Sequence, residues 1–119
     1  MKNLFIIISL VMLLITAGCK KERFSSDSVL FYANAFTPND DGLNDEWGPE
    51  GVGINNDRFS MKIYNKKDKL LYETDNLNNW WSGFVNGELC PVDYYYYVVK
   101  YETIDGVKHK DTGMFQLIK

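Results

Sequence analysis

The chain has 119 residues, with 16 acidic against 13 basic side chains and a formal net charge of −3. That length suits one domain, and the acidic balance argues against a nucleic-acid partner, which would want a basic patch. Aromatic residues make up 15% of the chain, so a core can form without a disulfide framework, which two cysteines, one of them assigned to lipid below, do not supply.

The first element is a leader. Lys2 precedes an apolar run from Leu4 to Ile15 that is broken only by Ser9. About a dozen residues is short for a transmembrane helix, which needs about 20. The run stops at Thr16-Ala17-Gly18-Cys19, small residues that fit the narrow site of a lipoprotein signal peptidase. This resembles a bacterial lipobox, with Thr16 where leucine is usual. The reading is a lipoprotein signal peptide over 1–18, then lipid on the Cys19 thiol and a polar tether over 19–28. The tether, Lys20-Lys21-Glu22-Arg23-Phe24-Ser25-Ser26-Asp27-Ser28, has no apolar period. About 100 residues remain for the mature protein. Acyl chains hold it to the membrane at about 0.8 kcal/mol per buried methylene, so surface charge is not needed for anchoring.

Residues 29–119 read as β throughout. Val29 to Phe36 is rich in β-branched and aromatic residues. Residues 59–65 alternate, with Phe59, Met61 and Ile63 on one side and Ser60, Lys62 and Tyr64 on the other. A polar break at Asn65-Lys66-Lys67-Asp68 precedes Lys69 to Thr74, which makes a hairpin. Asn86-Gly87 is a strong hairpin signal because both residues tolerate positive φ. Tyr94 to Thr103 is a long strand that breaks at Asp105-Gly106, read as a second two-residue turn. Its inward set is Tyr95, Tyr97, Val99 and Tyr101, because the alternate set runs into Lys100 and Glu102. About seven short strands with regular turn signals predict an all-β, immunoglobulin-like sandwich over 29–119.

Cys90 reads as a half-buried small hydrophobe, since no histidine or basic cluster in sequence lowers its pKa. His109, the one histidine, stands among charges and reads as a solvated strand position. With no second histidine and no thiolate nearby, no nucleophile–base pair or zinc set is present and no catalytic residues are assigned.

The stretch from Phe36 to Asp45 carries the most oxygen-bearing side chains. Thr37, Asn39 and Asp41 alternate, Gly42 follows, Leu43 offers a carbonyl and Asp45 closes, an order similar to calcium loops. Thr37 replaces the usual first carboxylate, and Gly48 stands where a bidentate Glu belongs. Two readings stay open: a weak Ca²⁺ site, with Ca²⁺ as the one cofactor the residues suggest, or an Asx-turn corner in which Asn39 and Asp41 accept backbone N–H groups. As a corner it presents Asp40, Asn44 and Asp45 to a protein partner.

The ordered set of Phe36-Thr37-Pro38-Asn39, Asp41-Gly42, Asn44-Asp45, Ile63-Tyr64-Asn65, Trp81, Gly83, Asn86-Gly87, Cys90-Pro91 and Tyr95 to Tyr97 resembles the gliding motility-associated C-terminal domain. That family serves as a type B sorting signal of the type IX secretion system. The resemblance spans about Ala33 to Lys119 and implies an immunoglobulin-like sandwich that works by recognition, with a secretion or gliding-machinery protein as partner. The family has glycines in the turn where Lys66 to Lys69 stand, and a glycine before the tyrosine strand where Val92-Asp93 stand. Its members carry the domain behind a large cargo, so this chain reads as a free-standing, lipid-anchored relative. The location implied is the cell envelope, as an outer-membrane lipoprotein facing the periplasm or the surface. Lys20, Lys21 and Glu22 are similar to surface-export signals that follow a lipidated cysteine. The alternative function is carbohydrate binding. Trp81 matches the family's core tryptophan, which leaves Trp80 as the free ring for a glycan or protein contact.

Overall fold

Alternation of apolar and polar side chains, with a period of two, builds most of this molecule. The computed structural model describes residues 29–119. The expected leader over 1–18, Cys19 and the tether over 19–28 lie outside the described residues. Among the described residues there is no helix, and the strands are β1 (Phe31–Tyr32), β2 (Ala35–Phe36), β3 (Pro49–Glu50), β4 (Ile54–Tyr64), β5 (Leu70–Thr74), β6 (Phe84–Val85), β7 (Glu88–Leu89), β8 (Asp93–Thr103) and β9 (Lys108–Leu117). Five of them form one sheet in the order β2-β9-β8-β4-β5, while β1 pairs with β3 and β6 with β7. The all-β class is as expected. The count exceeds the expected seven because the layer opposite the large sheet is built from two-residue ladders.

Register explains which side chains are buried. Phe59, Met61 and Ile63 of β4 stand opposite Tyr101, Val99 and Tyr97 of β8. β9 continues the row with Phe115 opposite Tyr95 and His109 opposite Tyr101. All of these are buried except Tyr97, which is half-buried. Burial of an apolar side chain of this size contributes roughly 1.5–3 kcal/mol. At the far edge β2 runs parallel to β9, setting Phe36 beside Leu117.

Two tryptophans join the second layer to this core. Trp47 and Trp81 form a single antiparallel bridge in which each N–H donates to the other's carbonyl, both at 2.9 Å. Trp47 lies flat on Phe115 at 3.8 Å between centroids, and Trp81 meets Phe115 and Tyr95 edge-on. Both rings are 1% exposed. Their indole N–H groups donate to the carbonyls of Ala33 and Phe84 respectively, so neither buried donor lacks a partner.

Turn chemistry sets the hairpins. Asn86 and Gly87 both adopt positive φ, +53° and +81°, as a two-residue turn between β6 and β7 requires. The β8–β9 connection differs from the expected two-residue turn. Thr103 N–H donates to Val107 O and Gly106 N–H to Thr103 O, so the loop holds three residues and Gly106 takes the left-handed position. The β4–β5 turn repeats that geometry: Asn65 N–H donates to Lys69 O, and Asp68 sits at φ +62° where a glycine would rest more easily. At the start of β8 the Tyr95 hydroxyl donates to Pro91 O at 2.5 Å, which pins the strand to the connection that feeds it, as a tyrosine corner does in immunoglobulin-like sandwiches.

Candidate functional site

The corner loop runs from the buried Phe36 to Asp45 and is closed by Thr37 N–H donating to Asn44 O at 2.8 Å. Inside it, one carboxylate organises the bend. Asp45 Oδ1 accepts the Asp40 N–H at 2.9 Å and Asp45 Oδ2 accepts the Gly42 N–H at 2.7 Å. Asp41 Oδ1 accepts the Leu43 N–H, and Asn39 Oδ1 accepts the Asp41 N–H. Three residues carry left-handed φ: Asp40 at +60°, Gly42 at +80° and Asn44 at +53°. Asp and Asn occupy such positions more readily than other non-glycine residues, which accounts for the composition of the stretch.

Asn39, Asp41 and Asp45, three residues of the calcium-like spacing, thus direct oxygens at the loop's own N–H groups. The other two, Thr37 and Leu43, meet the loop through their main chains. Among the described residues no three Asp, Glu, His or Cys side chains converge as a metal cage would require. The bonds made by Asn39, Asp41 and Asp45 are those of an Asx-turn corner. Asp45 is half-buried, and Asp40 and Asn44 are exposed at the tip.

Trp80 does not share a face with the tyrosines of β8. Its ring lies over Gly48, where an added Cβ would fall 2.2 Å from the indole, and its N–H donates to Leu77 O. It therefore belongs to the second layer, half-buried beside Phe31 and Glu50. Tyr94 and Tyr96 stand on the outer face of the large sheet, opposite Gln116 and Met114. A flat platform of these three rings is not formed.

A polar cluster ties β1, β8 and β9 together. Asp111 Oδ2 accepts hydroxyls from Tyr32 at 2.7 Å and Tyr101 at 3.0 Å, and the Tyr101 oxygen accepts the Val29 N–H. Burial, reinforced by the Asp111 carboxylate, pushes the Tyr32 phenol far above its ordinary value. His109 is part of this region and corrects the expectation of a solvated position: it is 5% exposed and stacks on Tyr101 at 4.9 Å and 7°. The two-residue period that buries Phe115 carries the inward set back through Gly113 and Asp111 to His109, so Lys108 and Lys110 point out while the imidazole points in. Its Nδ1 has no hydrogen-bond partner among the described residues. Cys90 is half-buried, and burial raises its thiol. Nearby, Lys66 pairs with Asp93 at 2.7 Å and, with the Tyr94 N–H, holds that carboxyl below the usual range.

Sequence reasoning did not single out Trp47 or Asp111. Trp47 follows the loop's closing carboxylate by two residues, the alternation that would have aimed it inward. Asp111 was legible only by counting back in twos from Phe115.

A family model described as CHU_C Type IX secretion signal domain matches residues 30–117. No curated protein matches the chain.

Proposed function

The chain belongs to the CHU_C type IX secretion signal domain family, and we propose that it acts as a non-catalytic, lipid-anchored module of the cell envelope that works through protein–protein recognition. The family is one of secretion signals and not of enzymes, and it places the chain in a cell-envelope or secreted context. The observation that carries the reading is the extent of that match, from Leu30 to Leu117, across both layers of the fold.

In this reading Cys19 carries the lipid, residues 19–28 act as a spacer, and the domain stands off an outer membrane. The recognition surface is the corner loop. Its internal hydrogen bonds fix the backbone, so Asp40 and Asn44 are presented in one geometry, with Asp45 behind them as the brace. A preformed loop loses little conformational freedom on docking, which favours specific recognition. Its partner is a component of the secretion or gliding machinery.

Two variants separate the parts of this reading. Cys19→Ser removes the acceptor for lipid and releases a folded protein from the membrane fraction. Retention after a high-salt wash would defeat the anchoring. Asp40→Ala with the anchor intact leaves fractionation unchanged and weakens export of a cargo placed ahead of the domain. Unchanged export would move recognition away from the loop.

A further inference from the structure

Charge is divided between the two layers. Residues 29–53 hold five carboxylates and residues 75–92 hold two, and neither segment contains a lysine, arginine or histidine. These segments supply the whole second layer. The described lysines, and Arg58, all lie on 54–74 or 93–119, the long strands of the large sheet and their connections.

The outer face of that sheet is zoned. Tyr64, Tyr96 and Met114 are register partners on three neighbouring strands, with Leu70 beside Tyr64 on the fourth. Tyr96 is 40% and Met114 56% exposed, and a shallow groove of about 510 Å³ runs along them. Beyond it the same face turns basic: Lys100 pairs across with Lys110, and Lys62 lies one row nearer the tyrosines. Glu73 and Glu102 are the acidic residues paired into these rows, opposite Lys62 and Lys108. No other described strand covers this side.

We propose that a second copy of the chain covers this face, seating its acidic second layer on the tyrosine and lysine surface of the first. Charge complementarity within the one molecule carries the argument: each copy presents a basic face and, on its opposite side, a layer without a single basic residue. The acidic layer also exposes Phe31 and Phe84 as apolar counterparts to the tyrosine row. Tyrosine and methionine are enriched at interface cores. The area is adequate. Five strands spaced about 4.8 Å apart and rising about 3.3 Å per residue give a face of roughly 600 Å² per partner, at the low end of the roughly 1,200–2,000 Å² that two partners together bury in a specific interface. Pairing two outer faces would instead bring two basic faces together. The contact is therefore heterologous, and because its two surfaces lie on opposite sides of the sandwich it repeats from copy to copy as an open stack. This self-association goes beyond the secretion-signal reading and does not depend on it.

Sedimentation equilibrium of the full chain, in a non-ionic detergent at matched density, tests it through a charge swap. Wild type shows an average mass that rises with concentration past that of a dimer. The mass falls when ionic strength is raised to about 1 M, where the Debye length is about 3 Å. Lys100→Glu/Lys110→Glu and Glu46→Lys/Glu50→Lys are each monomeric alone, with circular dichroism confirming the fold, and their equimolar mixture regains association. A wild type that stays monomeric at every concentration would overturn the proposal and leave the face to another partner. So would charge-reversed variants that associate as wild type does, the mark of contacts made elsewhere, or a mixture that stays monomeric.

Discussion

At the scale of single residues, the two bridging tryptophans hold the layers together. Trp47→Ala and Trp81→Ala each remove a fully buried ring and should cost about 3–5 kcal/mol in urea melts, whereas Trp80→Ala, at a half-buried surface ring, should cost much less. The reverse order would mean that Trp80 is the inward ring. His109 gives a prediction of opposite sign. Its unpartnered Nδ1 carries a desolvation penalty of roughly 1–3 kcal/mol, so His109→Phe, which keeps a ring against Tyr101, should be neutral or stabilising by about 1 kcal/mol. A loss of stability above 1 kcal/mol would show that the imidazole makes a bond through its other nitrogen. The inward set of the tyrosine strand was legible in the sequence because period two is unambiguous over a long strand, whereas Trp81 was legible only through the resemblance to the family's core tryptophan. His109 was not, because the outward lysines on either side of it give the local stretch a solvated look that hides its inward position.

At the scale of elements, short turns decide register, and they show where local chemistry is and is not optimal. Asp68 occupies the left-handed position of the β4–β5 turn. A non-glycine residue there costs on the order of 1 kcal/mol, offset in part by glycine's greater freedom in the unfolded chain. Asp68→Gly should therefore raise stability by about 0.5 kcal/mol, read as a higher urea midpoint at unchanged slope. A lower midpoint would assign the Asp68 side chain a compensating role that this turn does not reveal. Asn86-Gly87 could be read directly, since positive φ at both positions defines its turn. The β8–β9 loop could not, because a glycine one residue further along converts a two-residue turn into a three-residue one with the same local composition. The second layer was least legible of all. A ladder of two residues is too short to carry a period, and its placement depends on the bridge between tryptophans separated by more than thirty positions.

At the scale of the whole molecule, the aromatic core makes stability sensitive to alkali. Burial raises the phenols of Tyr32, Tyr72, Tyr95 and Tyr97, Tyr95 to about 12. The unfolded phenol titrates near 10, so the fold favours the neutral form; that contribution is fully present below about pH 10 and is lost as pH rises through the folded values. A phenolate absorbance titration should resolve a late class of tyrosines that ionises together with the loss of near-ultraviolet circular dichroism. A single wave near pH 10 with the fold intact would contradict the burial described here.

The proposed function also belongs to this scale, because the family match runs across the whole fold, from Leu30 to Leu117. The most direct measurement places residues 29–119 behind a periplasmic reporter in a bacterium with a type IX system, and scores surface exposure by protease shaving of intact cells. The account predicts a reporter that becomes protease-accessible only with the machinery intact, and that loses accessibility when Trp81→Ala unfolds the domain. A reporter that remains protected in the intact strain, or that is equally exposed without the machinery, would contradict it.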